Sequence, residues 1–213
     1  MRPGIIFVLA SLPSVAAAEI EFSFYTGNQS APPSDISVRG DDIAPDDDFR
    51  IRWEGLPLEW PLYAGARITK WQSETFGWGL DYAHNKTYPI EGELPAGYTA
   101  LEFTDGLNTW TINVYRRWPD LFAGATPYVG AGVGLSVPGV EVTYLGNTTF
   151  EYQFTGLAAQ WLAGVSYPIN DTWAVFGEYK GTYTTNSVDL ETGGTLTTDI
   201  STNAVNFGVS YTY

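Results

Sequence analysis

The sequence predicts an all-β protein: an eight-stranded antiparallel up-and-down barrel that crosses a membrane. The stretch Leu157–Tyr183 holds two runs in which apolar and small or polar residues alternate, joined by the short turn Pro168–Thr172. Alternation of this kind is typical of strands with two different faces. Aromatic residues make up 15% of the chain and charged residues only 16%, which is low for a soluble surface and expected of one that meets lipid.

Periodicity alone does not separate a membrane barrel from a soluble one. In the first run Leu157, Trp161 and Val165 share one face, while Ala158 and Gln160 share the other. A membrane barrel turns the apolar face to lipid and the smaller, more polar face inward, with about ten residues per strand. A soluble lipocalin-like barrel is the structural alternative, but its cavity should be lined by apolar residues. The polarity of the face assigned to the interior favours the membrane barrel.

The N-terminus predicts export from the cytoplasm. Arg2, the apolar run Ile5–Leu12 and Ala16–Ala18 have the order of a secretory signal peptide with its cleavage site. We therefore expect residues 1–18 to be removed and residues 19–213 to form one barrel domain. The apolar run is far shorter than the roughly 20 residues of a spanning helix, so a membrane-embedded chain of this kind spans as a closed barrel.

Eight segments of the chain show the strand pattern. In the first, Ile20, Phe22 and Phe24 alternate with Glu21, Ser23 and Tyr25. In the fifth, glycines at the inward positions leave interior room for large neighbours. The eight predicted strands are Ile20–Tyr25, Leu62–Trp71, Trp78–Asn85, Leu107–Arg116, Tyr128–Val137, Leu157–Tyr167, Val175–Tyr183 and a last strand that ends with Val205–Tyr213.

The connections between these strands alternate between long and short. This asymmetry is typical of outer-membrane barrels, with short periplasmic turns and long extracellular loops. Eight strands enclose an interior that side chains fill, so we expect no diffusion pore. Trp71, Trp78, Trp118 and Trp173 flank the short turns and predict an aromatic girdle at the periplasmic interface. The long loops are Asn28–Asp48, Lys86–Asp105, Pro138–Thr155 and Thr184–Thr202, and the short turns are Ser73–Gly77, Arg117–Thr126 and Pro168–Thr172.

Charged residues of both signs occupy predicted inward positions. Glu21, Arg67, Asp81, Glu178 and Lys180 must pair inside the barrel to offset their desolvation. We therefore expect an interior polar network that stabilises the fold.

The candidate catalytic residues lie at the outer rim and in the long loops. His84 is the single histidine, and the chain has no cysteine, which excludes multi-histidine and thiolate metal sites. One histidine can still act as a general base beside Glu102, Asp105 or Glu151 from neighbouring loops. A Ser-His-acid hydrolase would also need a serine beside His84 in space, which a sequence does not show.

The first long loop is acidic. Asp46, Asp47 and Asp48 are weak candidate ligands for a divalent cation, Ca²⁺ or Mg²⁺, although their spacing is not that of an EF-hand loop. The alternative is a solvated acidic loop. The formal net charge of −14 argues against binding to nucleic acid.

Several short stretches resemble the outer-membrane lipid A oxidase family of α-proteobacteria. PYVGAGVG at Pro127–Gly134 is common to many OmpA-like and opacity-type barrels and supports only the fold. The more specific stretches are Glu21–Gln29 (EFSFYTGNQ), Glu102–Asn108 (EFTDGLN), Arg116–Asp120 (RRWPD), Phe150–Gly156 (FEYQFTG) and Tyr167–Tyr183 (YPINDTWAVFGEYKGTY).

The resemblance implies an enzyme of the outer membrane that oxidises the proximal glucosamine of lipid A to 2-aminogluconate with oxygen. Lipid A or lipopolysaccharide would then be the partner of a monomeric barrel. Such an oxidation normally needs a redox cofactor, and the sequence identifies none beyond a weak divalent-cation site. Two alternatives stay open: a non-catalytic structural or adhesive barrel, and a lipid A deacylase.

Overall fold

The computed structural model describes residues 19–213, without the side chains of residues 104 and 105, so the predicted signal peptide lies outside the described residues. No helix in this range has the length and hydropathy to cross a bilayer. Over the same range the chain forms thirteen strands. They are β1 (Glu19–Ser30), β2 (Ser34–Arg39), β3 (Asp47–Ile51), β4 (Trp53–Glu54), β5 (Ala64–Trp71), β6 (Phe76–Pro89), β7 (Tyr98–Arg117), β8 (Thr126–Ser136), β9 (Gly139–Tyr144), β10 (Asn147–Tyr152), β11 (Gly156–Pro168), β12 (Trp173–Asp189) and β13 (Thr195–Thr212).

Eight of these strands close into a ring, which confirms the predicted barrel. The order β1-β5-β6-β7-β8-β11-β12-β13 returns to β1, and every neighbouring pair is antiparallel. Residues 72–75, 118–125 and 169–172 make the short connections at one end. We call the part of the ring next to these turns the lower barrel.

Side chains in the lower barrel alternate as the sequence predicts. Ile112 and Val114 on β7 are exposed on the outer wall, whereas Thr111 and Asn113 are buried inside. Glycines make room for large interior rings, because a Cβ at Gly65 would lie 2.1 Å from the ring of Tyr25 and one at Gly130 would lie 2.6 Å from that of Tyr115. The outer wall is therefore apolar and the interior is aromatic and polar.

The prediction of four long irregular loops is wrong, because most of the residues in these loops belong to strands. The segment 28–48 holds the end of β1, β2 and the start of β3, and the segment 138–155 holds the β9–β10 hairpin. In 86–105 and 184–202 the barrel strands themselves continue, leaving only residues 90–97 and 190–194 as connections. The connection 190–194 turns at Gly193 and Gly194, which both have positive φ.

These extra strands form a second ring above the first, which we call the upper barrel. Its members are β2, β3, β4, β9 and β10, together with the upper parts of β6, β7, β12 and β13. Backbone pairing connects β13 with β2, β2 with β3, β4 with β6, β6 with β7, β7 with β9 and β9 with β10.

Within the described range, two neighbouring pairs of this ring have no backbone pairing: β3 and β4, which follow each other directly in the chain, and β10 and β12, which side-chain hydrogen bonds bridge. Gln153 Nε2 donates to Asp189 O over 2.8 Å, and Asp189 N donates to Gln153 Oε1 over 2.9 Å. The Gln153 amide thus takes the place of a paired strand residue. At the top of the gap between β10 and β12, Glu191 N donates to Thr149 Oγ1 over 2.9 Å.

The interior of the upper barrel is a hydrophobic core. Burial of this apolar area drives the hairpins together, as in a soluble domain, and explains why residues with turn-rich sequences are ordered as strands. The core contains Ala31, Ile36, Val38, Ala44, Ile51, Trp53, Tyr98, Leu101, Phe103, Leu107, Val140, Val142, Val188, Leu196 and Ile200.

The predicted tryptophan girdle is wrong for one of its four members, Trp71. Trp78, Trp118 and Trp173 are exposed on the outer wall near the short turns, but Trp71 is buried. Trp71 faces inward because it shares the parity of Arg67 on β5. Its ring packs in the interior with Tyr115 and Leu162, and the Arg117 guanidinium carbon lies 3.8 Å from its centroid.

Candidate functional site

Four of the charged residues predicted to lie inside form one buried ion network in the lower barrel. Arg67 Nε lies 2.8 Å from Asp81 Oδ2, and Arg67 Nη2 lies 2.9 Å from Glu178 Oε1. Lys180 Nζ lies 3.0 Å from Asp81 Oδ1. Two cations face two anions, so the set is neutral, and each of the four residues is at most 5% exposed.

Aromatic hydroxyls complete the network. Tyr25 OH donates to Asp81 Oδ1 and Tyr128 OH donates to Glu178 Oε2, each over 2.8 Å. Lys180 Nζ also donates to the Tyr25 hydroxyl. The Arg67 guanidinium carbon lies 5.5 Å from the ring centroid of Tyr25, a geometry suited to a cation–π contact. The rings and ion pairs together fill the bore at this level.

Glu21 stands apart from this network, nearer the short turns. Its carboxylate accepts hydrogen bonds from Trp71 Nε1 and Ser23 Oγ, each over 3.2 Å. It borders a cavity of about 190 Å³ that also contacts Arg117 and Tyr115. The Tyr115 hydroxyl is buried and has no hydrogen-bond partner among the described residues. The cavity is thus lined by both polar and aromatic side chains, and it reaches Arg67 of the ion network.

His84 lies on the outer wall, where β6 passes from the lower to the upper barrel. Its Nδ1 is 2.9 Å from Asn108 Oδ1, which also accepts a hydrogen bond from Tyr82 OH over 2.8 Å. Because an amide oxygen only accepts, Nδ1 carries the proton and Nε2 is left as the basic nitrogen. Nε2 is enclosed and has no partner among the described residues. The pair Tyr82 and Trp110 stacks beside it, with ring centroids 4.6 Å apart.

The structure does not bring the two described loop glutamates to His84. Glu102 lies six residues along β7 from Asn108, which is roughly 20 Å at about 3.3 Å per strand residue. It faces Glu141 across β7 and β9. Burial, and next the charge of Glu141, raise the pKa of Glu102. Glu151 is exposed on β10, where its Oε1 accepts a hydrogen bond from Gln153 over 2.9 Å.

The backbone of Asp105 lies in β7, three residues before Asn108. Asn108 itself pairs with His84. Of the predicted acids, Asp105 is thus the one nearest to the histidine along the strand.

The three candidate cation ligands of the first loop each have a local role in the β2–β3 hairpin. Asp48 forms an ion pair with Arg39, with 2.5 Å between Nη2 and Oδ2. Asp46 Oδ1 accepts from Gly40 N over 2.8 Å, and Asp47 Oδ1 accepts from Asp48 N over 2.9 Å. Among the side chains of residues 19–103 and 106–213, no three His, Asp or Glu are grouped so as to hold a metal ion.

Sequence reasoning missed the residues that support the charged groups. Tyr25 and Tyr128 both face inward, and their parity on the strands was the available signal. Asn108 and Tyr82 beside His84 gave no signal, because their proximity depends on the register of β6 against β7. The sequence also did not indicate the role of Gln153, because this residue bridges β10 and β12, and β10 was not predicted as a strand.

The closed ring, the apolar outer wall and the polar plugged bore together define an outer-membrane β-barrel. The sequence matches the family described as outer membrane protein beta-barrel domain over residues 5–212, and the chain belongs to that family. No curated protein matches the sequence.

Several solved structures are similar to this chain. Neisserial surface protein A (NspA) is 14% identical, with 90% of this chain and 96% of that chain covered and a TM-score of 0.46. Ail, the attachment invasion locus protein of Yersinia pestis, is 10% identical, with coverages of 92% and 99% and a TM-score of 0.45. OprG from Pseudomonas aeruginosa is 15% identical, with coverages of 92% and 96% and a TM-score of 0.46. At these identities the likeness concerns the fold alone.

Proposed function

We propose that this outer-membrane protein is a closed structural or adhesive barrel that works at the cell surface through its upper barrel. Short turns of such barrels face the periplasm and long connections face the exterior, which assigns the upper barrel to the outside. The observation that carries the proposal is the hydrophobic core that fills the upper barrel directly above the ion network. A bore filled by paired charges and then by packed apolar side chains is suited to rigidity and not to solute passage.

The upper barrel also offers a surface for an external partner. An open groove of about 860 Å³ lies between the β2–β3 hairpin and β13. Its polar groups are held in place, since Arg50 Nη1 lies 2.7 Å from Asp35 Oδ1 and Ser37 Oγ donates to Asp48 Oδ1 over 2.7 Å. Fixed polar groups of both signs favour specific contact with a polar partner.

Electrical recording and envelope tests address this proposal together. The refolded protein in a planar bilayer should give no stepwise conductance, and a strain without it should become more sensitive to detergents while its lipid A mass spectrum stays unchanged. Steady unitary currents from the folded protein would contradict the closed barrel. A change in the lipid A spectrum would contradict the non-catalytic assignment.

A second candidate function is lipid A oxidation, favoured by the place of His84. A lipid headgroup of the outer leaflet would meet the outer wall near the boundary between the two barrels, and the enclosed Nε2 of His84 lies at this level. Oxidation of the free anomeric carbon to the lactone releases two electrons and two protons, which convert dioxygen to hydrogen peroxide, and water then opens the lactone to 2-aminogluconate. We assign to His84 only the acceptance of the sugar hydroxyl proton. Because Nε2 is enclosed, its neighbours must first move aside.

Lipid A mass spectrometry separates these functions. In a Gram-negative host whose proximal lipid A sugar is dephosphorylated, an oxidase should add one oxygen atom, a deacylase should remove an acyl chain, and a structural barrel should change nothing. His84→Ala should abolish the added oxygen. The matched control is Tyr179→Phe, which alters the outer wall on β12 and should leave the oxygen in place. An unchanged lipid in cells with folded wild-type protein would eliminate the oxidase.

A further inference from the structure

Two segments lead the chain from the upper barrel back into the lower barrel, and both expose large apolar side chains. The first, residues 55–62, lies between β4 and β5, and the second, residues 150–155, comprises the end of β10 and its connection to β11; we call them the re-entry segments. Leu58 and Trp60 are 84% and 85% exposed in the first segment. Phe150, Tyr152 and Phe154 are 56%, 61% and 62% exposed in the second.

The first re-entry segment is held in a fixed form by its polar neighbours. Lys86 Nζ donates to Glu59 O over 2.5 Å, and Tyr63 N donates to Pro57 O over 3.1 Å. Gly55 lies so close to β1 that a Cβ there would be 2.2 Å from Gln29 O. The chain is thus folded back on itself with Leu58 and Trp60 pointing away from the protein.

The second re-entry segment is fixed by alternation. Gln153 and Thr155 bind the barrel: Gln153 pairs with the backbone of Asp189, and Thr155 Oγ1 donates to Asn186 Oδ1 over 2.8 Å. The even-numbered aromatic residues therefore face outward. Both segments therefore have a defined conformation in which their apolar side chains are exposed.

Both segments continue the lipid-facing wall of the lower barrel. Leu62, at the end of the first segment, is 45% exposed beside Ala64 on β5, and Leu157, just after the second, is 64% exposed on β11. The groove along the β2–β3 hairpin and β13 carries Asp35, Arg50 and Asp199 instead. Most exposed large apolar side chains of the upper barrel therefore lie at the two places where the chain meets the wall, and Ile43 and Leu145 are isolated exceptions.

We propose that the two re-entry segments insert into the outer leaflet and anchor the upper barrel at the boundary between lipid headgroups and acyl chains. Exposed apolar patches of this size mark interaction sites, and Trp and Tyr favour the membrane interface. Continuity with the lipid-facing wall identifies the occupant as outer-leaflet lipid. The upper barrel then rests on the bilayer at two points and does not stand free above it. This inference rests on the location of the barrel and not on either proposed function.

Single-cysteine labelling tests the insertion, since the chain has no cysteine of its own. Leu58→Cys, Trp60→Cys, Tyr152→Cys and Phe154→Cys each receive a nitrobenzoxadiazole label, and the proteins are refolded in phosphatidylcholine vesicles. Acyl-chain-brominated phosphatidylcholine should quench all four labels by roughly half, as expected for groups about 5–10 Å into the headgroup and acyl boundary. Aqueous iodide should quench them weakly.

The matched control is Leu145→Cys at the tip of the β9–β10 hairpin. Leu145 is 65% exposed, so the control has similar exposure but no contact with the lipid-facing wall, and iodide alone should quench its label. Faster migration of unboiled samples on a gel checks the folding of every variant. Labels in either segment that respond to iodide and not to brominated lipid, in folded protein, would overturn the proposal.

Discussion

The lower and upper barrels share four strands, yet they place their apolar side chains on opposite sides of the wall. Along β7 the inward residues change from Leu101, Phe103 and Leu107 above to Thr111 and Asn113 below. The outward residues change in the other sense, from Glu102 to Trp110, Ile112 and Val114. One strand therefore keeps its parity while the chemistry of its two faces is exchanged.

The exchange follows the solvent. Where lipid surrounds the wall, apolar side chains face outward and the interior takes the polar groups; where water surrounds it, the hydrophobic effect reverses the arrangement. The boundary on β7 lies between Asn108 and Trp110. Below this boundary β7 therefore has the residue pattern of a membrane barrel, and above it the pattern of a water-surrounded β-barrel.

The first prediction concerns the interior of the lower barrel and has the largest expected effect. Arg67→Ala leaves the buried carboxylates of Asp81 and Glu178 without their shared cation, and loss of one partner of a buried ion pair costs about 3–5 kcal/mol. The urea midpoint of the refolded protein, followed by gel mobility of unboiled samples, should fall accordingly. Arg50→Ala is the control, because its ion pair with Asp35 is exposed and should contribute nothing measurable. Equal effects of the two changes would refute the importance of the buried network.

The second prediction concerns the core of the upper barrel. Leu101→Ala removes a side chain that is 1% exposed, and such truncations cost about 2–5 kcal/mol. We expect the loss to appear as protease cleavage of the β9–β10 hairpin, while the lower barrel keeps its heat-modifiable mobility. Ile112→Ala on the lipid-facing wall should leave the cleavage unchanged. If Leu101→Ala unfolds both barrels in one transition, the two regions are not independent.

The sequence predicted the lower barrel well and the upper barrel poorly, for one physical reason. The prediction applies a single rule to every alternating segment, in which apolar side chains face lipid and polar side chains face the interior. Ile112 and Asp81 follow this rule. Val188 and Ile36 obey the reversed rule, so their strands looked like polar loops. The position of His84 at the end of the third predicted strand placed it at the outer rim, but its contact with Asn108 depends on the register of β6 against β7, which runs unbroken from Phe76 to Asn85.

The third prediction tests the side-chain hydrogen bonds of Gln153 that bridge β10 and β12. Gln153→Ala removes the two hydrogen bonds to the Asp189 backbone, and at about 0.5–1.5 kcal/mol per bond the local stability of β10 should fall by about 1–3 kcal/mol. Amide exchange should quicken at Asp189 and along β10, with no change in β8 or β11. Asn147→Ala, at the hairpin tip, is the matched control. Unaltered exchange in the Gln153 variant would show that these hydrogen bonds are not needed to hold β10 against β12.

The last prediction is the smallest and uses the like-charged pair of the upper barrel. Glu102 and Glu141 lie directly opposite each other on β7 and β9, and burial together with the Glu141 charge raises the pKa of Glu102. A carboxyl group whose pKa is raised by folding stabilises the folded state while protonated, and this contribution is lost as the pH rises through the folded-state pKa. At neutral pH the pair is therefore unfavourable, so Glu102→Gln should stabilise the upper barrel by a few tenths of a kcal/mol, the scale of cross-strand pairs.

The advantage of Glu102→Gln should shrink as the pH falls below the ordinary pKa of glutamate, because the wild-type carboxyl group is then neutral as well. Protease cleavage of the β9–β10 hairpin, measured against urea at neutral and acid pH, gives the difference between the two proteins. Glu151→Gln is the control, since Glu151 has no opposing carboxylate and lies on an exposed strand. A stabilisation by Glu102→Gln that is equal at both pH values would mean that the amide packs better than the acid, and that the charge of Glu141 has no part in it.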